Sequence, residues 1–184
     1  MGLRNRTNLT EEQFYFVTTT VRNFTNVFVN EKYCNILIDN IKHYQKKYQF
    51  IILGYVIMPS HFHWIVKTEP RLGTISDIMR DIKKYTAWDV LELLEKEKPE
   101  TIEIFRKNVK PGQKQQFWIH RFDDQVIRSN KMFWTKLKYI HNNPVKAGLV
   151  EKAEEYQYSS ARNYYGQDHS IIFVDTTWGG IEIK

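Results

Sequence analysis

His61 and His63 stand one residue apart in the run HFHWIVK, a spacing that acquires chemical meaning on a strand. Strand side chains alternate at about 3.3 Å per residue, so both imidazoles leave one face with Cα atoms roughly 7 Å apart and can converge on one divalent ion. Phe62, Trp64 and Val66 then point the other way, toward a core, leaving His61, His63 and Ile65 on the second face. Alone, His-x-His is a weak signal, because neighbouring histidines often sit on a surface or satisfy local hydrogen bonds.

A second group lies in KLKYIHNNPVKAGLV, residues 136–150. Phe133, Leu137 and Ile140 recur at the three-or-four spacing of a core-facing helical stripe, and Tyr139 falls off it. Its neighbours one turn away include Thr135, Lys136, Asn142 and Asn143, so the phenol emerges from a polar, cationic surface suited to attack on a phosphate. Asn143 can offer an amide oxygen as a third metal ligand, and oxygen with imidazole suits Mg²⁺ or Mn²⁺. Read by itself, Asn143 simply ends the helix before Pro144. His141 sits about 200° around the helix from Tyr139 and points away, and His120 reads as a contact to DNA or solvent.

The balance of 27 Lys+Arg against 21 Asp+Glu gives +6, which leans toward a polyanionic partner without requiring one. A single cysteine, Cys34, excludes an internal disulfide and a multi-cysteine zinc site. No run approaches the ~20 apolar residues of a membrane span, and the N-terminal MGLRNRTNLTEEQ lacks a signal-peptide core, so the expectation is a cytoplasmic protein with no membrane partner.

The elements that must position these residues follow from periodicity. Residues 13–21 (QFYFVTTTV) read as a strand and 31–48 as a helix. Residues 50–58 and 61–67 form a hairpin turned at Pro59-Ser60, and 74–97 a long helix with Ile75, Ile78, Met79, Ile82, Tyr85, Leu91 and Leu94 on its apolar side. Residues 99–116 lose periodicity and read as a basic loop. A strand over 117–127 precedes a helix that Ser129 or Asn130 caps and Pro144 stops. The tail has a helical start at 154–165 and an apolar run at 171–174. The order strand-helix-strand-strand-helix-strand-helix is that of an α+β, ferredoxin-like (RRM-like) sandwich with an additional C-terminal helix. One domain is expected over 1–184, with a core at about 14–150 and an extension at 151–184.

Together, YVIMPSHFHWIV and FDDQVIRS followed by YIHNNPVKAGLV resemble the single-tyrosine (Y1, HUH) transposases of the IS200-like group, especially the REP-associated tyrosine transposases. The resemblance covers roughly 14–150, and the two blocks in order are far more specific than either alone. It implies that His61 and His63 are the metal-binding pair, Tyr139 the nucleophile and Asn143 an additional ligand, on a ferredoxin-like fold. Two stretches depart from the pattern: 97–116 is longer than in compact relatives, and WIHRFDD differs from the usual start of its block.

That resemblance implies cleavage of single-stranded or hairpin DNA through a 5′-phosphotyrosine intermediate, with a divalent ion neutralising the scissile phosphate. Lys136, the metal or a water-mediated base would activate the phenol. Arg80, Lys83, Lys84, Arg106, Lys107, Lys136 and Lys146 are candidate phosphate contacts, and the second sheet face is expected to leave room for splayed bases. If Tyr139 serves the histidines of a partner copy, a homodimer is required; if it serves its own, a monomer suffices. Two other readings compete: a non-catalytic single-strand-binding module on the same fold, and a metal hydrolase in which water attacks.

Overall fold

The computed structural model describes residues 13–119 and 121–177, so the N-terminal stretch and His120 read above lie outside the described residues. Strand β1 (Gln13–Thr20) leads through two short 3-10 turns into helix α1 (Glu31–Tyr48). The side chain of Asn30 accepts a hydrogen bond from Lys32 N at the start of α1, and Gln49, in the left-handed region, closes its end. Strands β2 (Ile51–Met58) and β3 (His61–Thr68) form the expected hairpin. Helix α2 (Ile75–Glu97) opens with a reciprocal capping box between Thr74 and Asp77. Helix α3 (Pro99–Arg106), strand β4 (Asp123–Val126), helix α4 (Asn130–Lys146) and the short α5 (Ala161–Gly166) complete the order.

The four strands lie in the order β2-β3-β1-β4, antiparallel at every pairing, which is the ferredoxin-like arrangement. One face carries Tyr15, Val17, Ile52, Tyr55, Ile57, Phe62, Trp64 and Val66 against α1 and α2. The other carries Phe14, Phe16, Leu53, Val56, Met58 and Ile65 against Phe133, Leu137 and Ile140 of α4. A register shift between Ile52 and Gly54 turns Leu53 and Gly54 both toward α4. At that point α4 comes so close that a Cβ on Gly54 would stand 2.5 Å from Leu137 Cδ1. Any side chain at position 54 would force Leu137 to move.

Residues 153–177 strap the outer edge of β2. Ile57 N donates to Tyr158 O (2.9 Å), Ser160 N to Tyr55 O (2.8 Å) and Asp175 N to Ile52 O (2.9 Å). The phenols of Tyr156 and Tyr164 donate to Ile57 O and Leu53 O.

Several expectations change. Residues 99–106 are a helix rather than a basic loop, because Pro99 starts a turn that needs no N–H there and Ile102 and Phe105 bury together, Phe105 against Phe117. The strand expected at 117–127 shrinks to β4. Trp118 makes one bridge to Val21, and its ring is claimed by Phe28, Phe62 and the carbonyl of Lys83. Pro144 does not stop α4. Near a helix end its missing N–H removes one bond, and Ala147 N still reaches Asn143 O, so termination falls to Gly148 at φ +69°. Among the described residues of the tail, the α-helix is confined to 161–166, after a 3-10 turn at 153–155. Tyr85 faces solvent rather than the core. The second sheet face is not open to bases, since α4 covers it.

Candidate active site

Strand β3 delivers His61 and His63 to the α4 side of the sheet, with ring centroids 4.8 Å apart. Antiparallel register sets Thr18 of β1 opposite His63 and Thr20 opposite His61. Thr18 Oγ1 lies 2.7 Å from His63 Nδ1, and Ser60 Oγ lies 3.2 Å from His61 Nδ1. With Nδ1 of each ring engaged by a hydroxyl, Nε2 is the nitrogen left to offer a lone pair. His63 is 3% exposed, and its Nε2 is buried without a hydrogen-bond partner in the described structure. Burial, reinforced by His61 and by the ammonium of Lys136, pulls the His63 imidazole down to about 3. Burial likewise lowers His61. Both rings are therefore neutral at physiological pH, the form that binds metal.

Tyr139 stands over this pair. Its ring centroid is 5.3 Å from that of His63, edge-on, and 6.0 Å from that of Phe16, which stacks on His63. The side chain is 41% exposed, enough for its hydroxyl to meet a large substrate. Lys136 Nζ lies 4.5 Å from the Phe16 ring centroid and Lys146 Nζ 5.9 Å from that of Tyr139, so two cations flank the phenol. Asn143, one turn further along α4, holds its amide Nδ2 buried and unpartnered. Rotation of that amide by half a turn presents Oδ1 instead.

The donor chemistry suits a divalent cation: two neutral imidazoles, one with an orphaned nitrogen, and an unpaired amide. No group of three or more His, Cys, Asp or Glu gathers among the described residues, so further ligands would have to be oxygens of the amide, of water or of a phosphate. His141 points away as expected, its Nε2 2.8 Å from Ser160 Oγ. That hydroxyl also accepts from Tyr55 N, and burial lowers His141 to about 4.

The sequence profile of the family described as Transposase IS200 like matches residues 11–143, which contain the histidine pair, Tyr139 and Asn143. The chain belongs to this family. A Haemophilus influenzae protein named as a REP-associated tyrosine transposase is 25% identical over 175 residues, spanning 95% of this chain and 92% of that one. A solved REP-associated tyrosine transposase, bound to a REP hairpin, superposes with a TM-score of 0.69 at 23% identity, covering 96% of this chain and 94% of its own. That likeness carries the fold.

The IS200-like chain does not gather all its candidate phosphate contacts at Tyr139. Lys136 and Lys146 are there. Arg80, Lys83 and Lys84 lie on α2, across the sheet, and Arg106 and Lys107 at the end of α3. Arg80 is held by Asp77 and Asp81, and Arg106 by Glu95 and Glu103. Lys83 is half-buried and donates to Ile119 O. Phe16, Thr18 and Ser60 went unread. The three-threonine run at 18–20 was the available signal for Thr18, since Thr18 and Thr20 share the histidines' face, but the pairing that aligns them is tertiary. No helix among the described residues is long and apolar enough to cross a membrane.

Proposed function

We propose that this transposase-family protein nicks and rejoins single-stranded, hairpin-bearing DNA, with Tyr139 as nucleophile. The observation that carries the reading is the 5.3 Å approach of Tyr139 to His63 within one chain. The phenolic oxygen attacks the phosphorus of the scissile phosphodiester, a bond forms between Tyr139 Oη and phosphorus, and the bond to the 3′ oxygen breaks. The phenol gives up its proton and the departing 3′ oxygen takes one, leaving a 5′-phosphotyrosine and a free 3′-hydroxyl. Rejoining is the same exchange reversed and needs no nucleotide cofactor.

His61, His63 and Asn143 would hold Mg²⁺ or Mn²⁺. Such an ion supplies charge neutralisation at the phosphate. The chain's own residues do the rest. Thr18 and Ser60 fix the ring orientations, and burial keeps both imidazoles neutral. Lys136 and Lys146 place positive charge beside the phenol, which draws in the phosphate. Hairpin DNA as substrate is supported by the REP hairpin carried by the solved relative. The approach of Tyr139 to His63 within one chain supports a single copy as the working unit.

Incubation of a labelled hairpin oligonucleotide with the protein and Mn²⁺, followed by a denaturing gel, tests the reading. A protein–DNA adduct is expected from the parent and absent from Tyr139→Phe and His61→Ala. Cleavage that persists in Tyr139→Phe would overturn the nucleophile and leave attack by water.

A further inference from the structure

On the sheet face opposite Tyr139, α2, residues 113–119 and Phe122 line a groove of about 810 Å³. Its floor is apolar: Met79, Leu91, Phe117 and Trp118 are all buried. Its rim is different. Trp88 is 61% exposed, a costly display for an indole unless something covers it, and Tyr85 lies parallel to it at 14° with centroids 6.4 Å apart.

Cations line the same groove. Lys84 Nζ stands 5.1 Å from the Tyr85 ring centroid, and Lys83 Nζ spends one donor on Ile119 O and retains others. Burial depresses the Lys83 ammonium to about 8, so an incoming anion would recover a desolvated charge. The lining includes Arg80 and three glutamines but no carboxylate among the described residues. A planar aromatic platform, flanking ammonium groups and amides able to pair with base edges are what an unpaired nucleotide needs. An apolar peptide would leave the cations unanswered.

We propose that this groove binds unpaired nucleotides of the DNA, with a base stacked on Trp88 and the adjoining phosphate held by Lys83 and Lys84. The inference rests on the reading of DNA as the substrate, and it adds an anchoring site separate from the cleavage centre, on the other side of the sheet.

The test is fluorescence anisotropy with a labelled hairpin, blunt or carrying a single-stranded tail of roughly five nucleotides, a length of the order one such site spans. Trp88→Ala should weaken binding of the tailed hairpin about tenfold, the loss expected when one stacked base is released. Blunt-hairpin binding should not change, and Trp88→Phe should restore most of the affinity. Lys84→Glu should reproduce the loss and reduce the salt dependence. Both side chains are exposed, so folding is not at stake. Unchanged tailed binding in Trp88→Ala, or equal loss on both hairpins, would overturn the groove while leaving adduct formation intact. Conversely, a parent protein that forms no adduct yet shows the tail-specific loss would remove the nickase and keep the groove.

Discussion

The two faces of the sheet solve opposite problems with the same strand. Toward α1 and α2, Phe62, Trp64 and Val66 of β3 are sealed beneath two long helices. Toward α4, the alternate residues run from Ile65, wholly buried, through His63 at 3% exposure to the half-buried His61. One helix covers that side, and its cover thins along the strand. A small core thus serves as one wall of the candidate site. It desolvates an imidazole at one end and leaves a phenol in solvent at the other.

Substitutions should separate the faces. The largest effect belongs to the sealed side: Trp64→Ala empties the centre of the main core and should cost about 3–5 kcal/mol, read as a urea midpoint shift. On the thinner side, Gly54→Ala should cost about 1–3 kcal/mol, because its new methyl collides with Leu137. Its adduct yield should fall by more than its stability explains, since α4 carries Tyr139. Leu137→Ala added to Gly54→Ala should recover yield, and failure to recover would mean that the helix position does not govern the phenol.

Acid sharpens the same contrast. His63 and His141 titrate near 3 and 4 when folded and near 6.5 when unfolded, so the unfolded chain binds more protons across that interval. The stabilisation is complete above about pH 6.5 and is lost as pH falls toward the folded values. Hydrogen exchange should therefore show α4 loosening before α1 and α2 as pH drops from about 7 to about 4. Uniform loosening would deny the distinction. The smallest effect is local: Ser129→Ala removes the hydroxyl that accepts from Met132 N and should cost about 1 kcal/mol.

Much of this was readable along the chain wherever periodicity and capping agreed. The β2–β3 hairpin, α1, the Thr74 start of α2 and the Phe133, Leu137, Ile140 stripe emerged as expected, and so did the exclusion of Tyr139 from that stripe. What escaped depended on partners far away. Helix α3 carries only Ile102 and Phe105 as anchors, too few for a period to register, and its core partner Phe117 is a dozen residues on. The burial of His63 could not be read from β3, because it is imposed by α4 and Phe16. Pro144 misled for the reason that a proline's cost depends on how much helix remains to be broken.

The strap along β2 decides how copies of the chain can meet. Sheet edges join when their peptide groups are free, and on β2 the groups of Ile52, Leu53, Tyr55 and Ile57 are already taken by the chain's own C-terminal segment. The opposite edge, β4, is four residues long and begins with two exposed aspartates. Strand addition is closed off along β2 and finds only a short, charged edge at β4, so association with another copy would favour helices and loops.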